Sequence, residues 1–264
     1  MSGTIQNLGI SILSCGEHQR LVKTIESHKN NGLYDIVPDH SIFFNEYSES
    51  DVELMKNYPS FKCSGNSINS KIGWGMVMSV LNGGDSEYVL FIENDFELIA
   101  ARSETYMQLY MGIENIENNN VDIIKYRNVL DYHTTCNETN NWFRDDGIKG
   151  CPQTSRYVGF TADPNFGPQH PDICELIGED HGTELWRMSS EDAGWSNNPF
   201  LCKREWFVNL INLVDYGVDK YNSLEEYTHT QDFEQQIVAN ENYKDFNYSV
   251  GVMLPGLFNH QIKE

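Results

Sequence analysis

The chain has 264 residues, of which 39 are Asp or Glu and 18 are Lys or Arg, giving a formal net charge of −21 at pH 7. Such an acidic surface repels nucleic-acid phosphates and anionic lipid headgroups, so we expect neither nucleic acid nor an anionic membrane as a partner. Hydrophobic residues make up 39% of the sequence, enough for one large domain with a buried core.

The N-terminal segment and the cysteines both favour a cytoplasmic location. Residues 1–13 lack the basic stretch and long apolar run of a signal peptide, and no segment reaches the roughly 18 apolar residues of a membrane span. The six cysteines, at positions 15, 63, 136, 151, 174 and 202, include no CxxC pair, which is typical of reduced thiols. We therefore expect a cytoplasmic protein without a transmembrane segment.

Strands and helices are predicted to alternate through the first half of the chain. Short apolar runs with β-branched or aromatic residues predict strands at 8–13, 41–44, 88–92 and 121–126. Helical spacing of apolar residues predicts helices at 20–28, 49–57, 71–81 and 106–116. The alternation indicates an α/β fold with a Rossmann-type mixed, mostly parallel sheet flanked by helices. Ligands of such sheets bind at the carboxyl ends of the strands.

The second half of the chain is less regular. Residues 131–182 are rich in Gly, Pro, Asn, Thr and His, and they predict a long irregular insert. Helices are predicted at 200–214 and 230–239, and a strand at 248–254 that ends at Pro255-Gly256. We expect a single domain over residues 1–264.

Two carboxylates follow the most apolar of the predicted strands. Tyr88–Ile92 runs directly into Glu93-Asn94-Asp95, and residues two apart on an extended chain point to the same face. Carboxylates held this close repel each other unless a proton or cation lies between them, and their oxygens suit Mg²⁺ or Mn²⁺. A pair of solvated acids at a strand end in an acidic protein is the alternative interpretation.

Six segments follow one another in an order that is found in a known enzyme family. They are LGISILSCGEHQRLVKTI, SINSKIGWGMVMSVL, EYVLFIENDFEL, SNNPFLCKREWF, TQDFEQQI and PGLFNHQ. In this order they resemble the GT-A family of nucleotide-sugar glycosyltransferases, with Glu93 in the first position of a DxD-type acidic triplet. The resemblance covers most of the chain and is weakest over 131–182. It is similar in character to the small compact members that also occur in large DNA viruses.

The resemblance implies a metal site. In this family a divalent metal bridges the two phosphates of the donor and neutralises the charge that develops as the glycosidic bond breaks. Here Asp95 would be a direct ligand of Mn²⁺ or Mg²⁺, Glu93 a direct or water-mediated ligand, and His260 a third ligand. An ordinary surface histidine is the alternative for His260. A metal is also expected because the chain has few basic residues to offset that charge.

The resemblance also implies residues that bind substrate and a general base. The substrate-binding residues would be Ser14, Cys15, Glu17, Arg20, Glu46, Lys71, Asn94, Trp195 and Asn197. Trp195 would stack on a sugar face, unless it is a core tryptophan. An inverting enzyme needs a base to take the proton from the acceptor hydroxyl, and Asp232 or Glu234 would have this role. The rival pair for the base is Glu191-Asp192.

On this resemblance, residues 1–128 would bind the nucleotide sugar, and residues 129–264 would bind the acceptor and supply the base. The expected donor is a UDP-sugar that carries a hexose or a pentose such as xylose, and the expected acceptor is a glycan hydroxyl. Inversion at the anomeric carbon is expected, with retention as the alternative outcome.

Three other functions stay open. A nucleotidyltransferase uses a related sheet and a metal, but it usually has a Gly-rich basic loop, of which SCGEHQR is a poor version. A non-catalytic carbohydrate-binding protein would bind no nucleotide and would not respond to metal. A metal-dependent hydrolase would use histidines such as His133, His170 and His181, whose spacing is unlike that of metal ligands.

Overall fold

A computed structural model describes residues 3–66, 72–128, 165–193, 195, 197–213 and 247–261. The strands are β1 (Leu8–Ser14), β2 (Asp39–Phe44), β3 (Lys62–Gly65), β4 (Tyr88–Glu93), β5 (Phe96–Leu98), β6 (Ile123–Lys125), β7 (Glu175–Asp180), β8 (Thr183–Ser189), β9 (Phe200–Lys203), β10 (Ser249–Leu254) and β11 (Phe258–His260). The helices are α1 (His18–Asn30), α2 (Leu33–Ile36), α3 (Glu49–Met55), α4 (Ile72–Asn82), α5 (Arg102–Glu117), α6 (Phe166–Gln169), α7 (Ser190–Ala193) and α8 (Arg204–Leu213). Within these ranges, no helix has the length and apolar character that a membrane crossing requires.

Nine of the strands form one sheet in the order β3-β2-β1-β4-β9-β6-β10-β8-β7. Neighbours β1–β2, β2–β3, β1–β4 and β6–β10 are parallel, whereas β9 is antiparallel to both β4 and β6. Since β8 is antiparallel to both β10 and β7, seven of the nine strands in this sheet run one way, and β8 and β9 run the other. The predicted α/β fold with a mixed, mostly parallel sheet is confirmed. We call the edge at which β1, β2, β4 and β6 end the carboxyl edge.

Both faces of the sheet are covered. On one face, Ile12 of β1 packs in a cluster with Leu21 of α1. On the other face, Leu13 of β1 belongs to a cluster with Phe91 of β4 and Trp74 of α4. All residues of β1 are buried. Burial on two sides explains why these strands are continuous apolar runs instead of alternating polar and apolar residues.

The prediction of a helix at 200–214 is wrong for its first four residues. Phe200–Lys203 forms β9, and the helix begins only at Arg204. β9 pairs with β4 on one side and with β6 on the other, and Phe200 is fully buried. Burial between two strands therefore overrides the helical spacing of the sequence.

The insert predicted as irregular over 131–182 ends in a regular hairpin. β7 and β8 pair through the two-residue turn His181-Gly182, in which both residues have positive φ, 47° and 82°. Two-residue hairpin turns require this backbone twist, and Gly adopts it at no steric cost. Residues 131–164 of the insert and the helix predicted at 230–239 lie outside the described residues.

His28 on α1 is buried and contacts the strand that follows the acid pair. Its Nε2 lies 3.0 Å from the Phe96 carbonyl oxygen, and its Nδ1 lies 3.1 Å from the Tyr34 hydroxyl. Because a carbonyl oxygen only accepts, Nε2 carries the proton of the neutral ring and Nδ1 accepts from Tyr34. Burial, partly opposed by the bond to Phe96, lowers the pKa of His28 to about 4.

We expect the free energy of unfolding to fall as the pH drops from 7 to 5. His28 stays neutral in the folded chain down to about pH 4, whereas its pKa in the unfolded chain is about 6.5, so acid favours the unfolded state. His28 accounts for about 2 kcal/mol of the fall in the free energy of unfolding between pH 7 and pH 5. Urea unfolding of the parent chain and of His28→Gln at both pH values measures it. The variant should be less stable at pH 7 and less sensitive to pH; equal pH dependence in both chains would contradict the buried neutral ring.

Candidate active site

Three loops lie side by side at the carboxyl edge. The register pairs Leu13 with Glu93 and Ser14 with Phe44, so β1, β2 and β4 end at the same level. The Asn45 amide donates to the Ser14 carbonyl oxygen at 2.8 Å, which extends the pairing into the loops. The loops that follow these three strands are therefore neighbours, as the parallel sheet predicts.

A small second sheet brings the C-terminal histidine to the acid pair. β5 and β11 are antiparallel, with Phe96 opposite His260, and the centroids of these two rings are 5.1 Å apart. Asp95 immediately precedes β5, and its Oδ2 lies 2.9 Å from His260 Nε2. Asp95 and His260, which the resemblance assigns to one metal site, are therefore in contact.

Arg20 of α1 contacts the same carboxylate. Its Nη1 lies 3.3 Å from Asp95 Oδ2, and its Nε lies 2.7 Å from Glu17 Oε2. The Arg20 and Asp95 side chains are each 18% exposed, so this ion pair is less screened than one on the open surface. One oxygen of Asp95 thus faces two basic groups. We call these three residues the Arg20–Asp95–His260 cluster.

Glu93 does not extend this cluster into the three-ligand site expected from the sequence. β4 ends at Glu93, and Asn94 and Asp95 form a turn, so the alternation of an extended strand does not continue to Asp95. Within the described ranges, no group of three or more His, Cys, Asp or Glu side chains is placed to hold a metal ion. Strand geometry therefore does not put the two carboxylates on one face.

Asp95 and His260 nevertheless fit a divalent cation as a pair of ligands. A carboxylate oxygen and an imidazole nitrogen are both suitable donors for an ion such as Mn²⁺. Waters and substrate phosphates commonly complete sites in which the protein supplies only one or two ligands. The side chains of His260 and Asp95 are 29% and 18% exposed, which leaves room for such groups.

Two buried polar atoms at the carboxyl edge have no hydrogen-bond partner among the described residues. They are Oγ of Ser14, the last residue of β1, and Nδ2 of Asn94, the residue after β4. Ser14 has no exposed surface, and Asn94 is 7% exposed. Buried polar groups in native proteins nearly always have a partner. A ligand or an ordered water at this edge would supply one.

Cys15 lies among the carboxylates of the same edge. Packing around the sulfur, then the negative charges of Glu93, Asp95 and Glu17, raise the pKa of the Cys15 thiol to about 12, against a hydrogen bond with Asn45. Although the residue as a whole is exposed, these carboxylates lie close enough to the sulfur to disfavour the thiolate. The thiol is therefore neutral at physiological pH.

Iodoacetamide is expected to modify Cys15 at least about 100-fold more slowly than glutathione at pH 8, because the thiolate is the reactive form. With a pKa of about 12, the ionised fraction at this pH is on the order of 10⁻⁴. Peptide mass spectrometry at successive times gives the rate, with glutathione as the reference in the same reaction. Equal rates for Cys15 and glutathione would show that the thiol is not held beside the carboxylates.

Glu46 and Asn197 also lie at the carboxyl edge. Glu46 follows Asn45 at the end of β2, and its side chain is exposed. Asn197 precedes β9, which begins at this edge because it is antiparallel to β4, and its Oδ1 accepts from Trp195 Nε1 at 3.1 Å. The other predicted site residues lie outside the described residues: Lys71, Asp232 and Glu234.

Trp195 is a core residue. It is 1% exposed, and its ring contacts those of Phe200, Phe207 and Tyr248. A ring buried to this extent has no open face for a sugar. Of the two interpretations from the sequence, the structure therefore matches the core tryptophan.

The rival acid pair lies at the opposite edge of the sheet. Glu191 and Asp192 belong to α7, which directly follows β8, and the last residue of β8, Ser189, is paired with Ser249 at the start of β10. The Asp192 carboxylate accepts a hydrogen bond from Ser189 Oγ at 2.9 Å. This placement is wrong for a base that acts at the carboxyl edge.

A cavity of about 520 Å³ also opens at this opposite edge. It lies between the starts of β7 and β10 and the end of β8, and Glu175, Arg187 and Tyr248 are among its lining residues. Arg187 forms an ion pair with Glu175 there. The cavity is thus separate from the Arg20–Asp95–His260 cluster, and its volume alone does not indicate chemistry.

Two residues that hold the cluster in place were not predicted from the sequence. Thr24 Oγ1 donates to the Asn94 carbonyl oxygen at 2.8 Å, and the main-chain amide of Gln261 donates to the Asp95 carbonyl oxygen at 2.6 Å. Helical spacing marks Thr24 only as a core-facing position. The contacts of Gln261 depend on the pairing of β5 with β11, which the sequence does not show. The one sequence signal for Gln261 is its position directly after His260 in PGLFNHQ.

The sequence matches no protein-family profile and no curated protein. Among solved structures, the chain is similar to residues 1–349 of S. aureus TarS, with 11% identity and a TM-score of 0.47 over 97% of this chain and 60% of that chain. A second TarS structure, in complex with UDP, gives 13% identity and a TM-score of 0.48, with coverages of 98% and 61%. The chain thus spans about three fifths of the TarS chain in these structures.

A further similar structure is the mannosyltransferase PcManGT from Pyrobaculum calidifontis in complex with GDP-Man and Mn²⁺. The identity is 8% and the TM-score 0.38, over 49% of this chain and 38% of that chain. TM-scores this low assign neither an activity nor a residue role to the present chain.

Proposed function

We propose that the chain is a glycosyltransferase that moves a sugar from a nucleoside diphosphate donor to a hydroxyl group of a glycan. The observation that carries the proposal is the convergence of Arg20, Asp95 and His260, with contacts of 3.3 Å and 2.9 Å at the carboxyl edge. Ligands of open α/β sheets bind at this edge. The order of the sequence motifs, which resembles that of the GT-A family, supports the same assignment.

A diphosphate fits the charges of the cluster. In a chain of net charge −21, an anionic ligand needs local positive charge, and Arg20 offers a planar guanidinium that suits phosphate oxygens. Without a ligand, Asp95 and Glu17 hold this guanidinium. Donor binding would let Arg20 exchange these carboxylates for phosphate oxygens, so that its charge keeps a partner throughout.

We propose Asp95 and His260 as ligands of Mn²⁺ or Mg²⁺, with Glu93 acting through a water. The bound metal would supply Lewis-acid stabilisation of the diphosphate that leaves. The fold would preorganise both metal ligands, because the β5–β11 pairing fixes the position of His260 and the turn after β4 fixes that of Asp95. Ser14 Oγ and Asn94 Nδ2, which have no hydrogen-bond partner within the described ranges, would donate to oxygen atoms of the donor.

The acceptor side of the proposal rests on the resemblance. Asp232 or Glu234 would take the proton from the acceptor hydroxyl as that oxygen attacks the anomeric carbon, and this single displacement inverts the anomeric centre. The proposed donor is a UDP-sugar that carries a hexose or xylose. Glu46 would contact the nucleoside part of this donor, and Lys71 would contact its ribose or a phosphate.

Thermal unfolding in the presence of nucleotides tests the proposal. UDP, GDP, UTP and free sugars are added separately, with and without Mn²⁺. UDP at 100 times its Kd should stabilise the folded chain by about 2.7 kcal/mol, which raises Tm by several degrees. No shift with any nucleotide in either condition would overturn the proposed function. Stabilisation by UTP alone would favour a nucleotidyltransferase, and stabilisation by sugars alone a carbohydrate-binding protein.

A further inference from the structure

Gln261 connects three separate parts of the candidate site. It lies directly after β11 and is 8% exposed. Its main-chain amide donates to the Asp95 carbonyl oxygen at 2.6 Å. Its side-chain Nε2 donates to the Arg20 carbonyl oxygen at 3.1 Å and to Thr24 Oγ1 at 2.9 Å. One residue therefore holds the main chain of both Arg20 and Asp95.

Thr24 closes this set of contacts into a ring. Its hydroxyl donates to the Asn94 carbonyl oxygen at 2.8 Å and accepts from Gln261 Nε2. Asn94 is bonded covalently to Asp95, whose carbonyl oxygen accepts from the Gln261 amide. The ring joins α1, the turn after β4 and the end of β11. These are the segments that supply Arg20, Asp95 and His260.

The chemistry of the ring requires an amide at position 261. The Arg20 carbonyl oxygen can only accept, and the Thr24 hydroxyl already donates its hydrogen to the Asn94 carbonyl oxygen. Both partners of the Gln261 side chain must therefore receive a hydrogen, and the NH₂ group supplies two. A glutamate has the same shape but no donor when ionised, so its carboxylate would face the Arg20 carbonyl oxygen. A leucine would remove both side-chain hydrogen bonds, the one to the Arg20 carbonyl oxygen and the one to Thr24 Oγ1.

We propose that Gln261 is a positioning residue that sets the separation of Arg20 from the Asp95–His260 pair. This inference rests on the proposed function, because that separation would determine how tightly the site holds a nucleoside diphosphate and a divalent cation. Arg20 and Asp95 make the contacts with these ligands, and Gln261 acts through their main chains. Residues that orient metal ligands in this indirect way typically change metal affinity by 10–100-fold when substituted.

The test compares Gln261→Glu and Gln261→Leu with a matched control, Asn115→Leu. Asn115 lies near the end of α5 and is likewise 8% exposed, and its Nδ2 donates to the Met111 carbonyl oxygen while its Oδ1 accepts from Asn120. The control therefore also removes a buried amide with two hydrogen bonds. It does so away from the carboxyl edge, because β6 begins shortly after this end of α5.

Hydrogen–deuterium exchange without ligand measures the ring itself. Both Gln261 variants should exchange at least about 10-fold faster over residues 18–24 and 94–98, whereas Asn115→Leu should change only the region around α5. Titration with Mn²⁺ and then with UDP measures the consequence. Both affinities should fall at least about 10-fold in the Gln261 variants and stay within about 2-fold of the parent in the control. Gln261→Asn, which keeps the amide on a shorter side chain, serves if the other variants do not fold.

The outcomes separate this inference from the proposed function. Exchange over 18–24 and 94–98 that matches the control overturns the inference, whether or not UDP binds. Faster exchange with unchanged affinities also overturns it, because Gln261 would then stabilise the fold without positioning Arg20. Failure of the parent chain to bind any nucleotide overturns the proposed function, and with it the role of Gln261 in donor binding.

Discussion

Asp95→Asn is expected to lower the proposed metal-dependent sugar transfer by at least about 100-fold while leaving the chain folded. The substitution keeps the shape of the side chain and removes the negative charge that faces Arg20 Nη1 and His260 Nε2. An amide is a poor ligand for a hard cation, and its NH₂ group would face basic groups. Because the Asp95 side chain is partly exposed, at 18%, loss of its charge should not unfold the chain.

Three measurements on the Asp95 variant separate chemistry from folding. Turnover of a UDP-sugar with Mn²⁺ gives the activity, electron paramagnetic resonance gives the affinity for Mn²⁺, and thermal unfolding gives the stability. Glu97→Gln is the matched control, because Glu97 is a carboxylate two residues further on in β5, opposite Asn259. Full activity of Asp95→Asn would remove the metal assignment. Equal losses in both variants would point to the overall negative charge of this region.

The apolar strands of the sheet could be predicted because they are buried on both faces. Continuous runs such as Leu8–Leu13 and Tyr88–Ile92 leave little choice of environment, and their alternation with helices leads to a parallel sheet. β9 could not be predicted in this way. Phe200–Lys203 continues without a break into the helix that starts at Arg204, and only pairing with β4 and β6, distant in sequence, makes it a strand.

The contact between Asp95 and His260 also depends on the pairing of strands that are distant in sequence. The resemblance assigned Asp95 and His260 to one metal site, and the pairing of β5 with β11 explains their contact. The expectation for Glu93 assumed an extended chain through Asp95, but the strand ends at Glu93, and residues 94 and 95 form a turn. The approach of Arg20 depends on how α1 lies over the turn after β4, and no local pattern encodes that packing.

Loss of the general base is the second large effect that we expect. Asp232→Ala or Glu234→Ala should lower the rate of transfer about 10²- to 10⁴-fold, because the acceptor hydroxyl then keeps its proton as it attacks. UDP affinity should stay within about 2-fold of the parent in the same variant, since the proposed base contacts the acceptor and not the donor. Transfer assays with each variant, together with the UDP thermal shift, distinguish loss of the base from loss of the donor site.

The position of the rival acid pair supplies the control for the base. Glu191 has an exposed side chain and follows β8 at the opposite edge of the sheet, so Glu191→Gln should leave transfer unchanged. Full activity in both the Asp232 and the Glu234 variants would contradict the assignment of the base to this pair. The base would then have to come from another acid at the carboxyl edge, because a proton acceptor must lie within hydrogen-bond reach of the attacking hydroxyl. Glu191 and Asp192 do not meet that condition for chemistry beside Asp95.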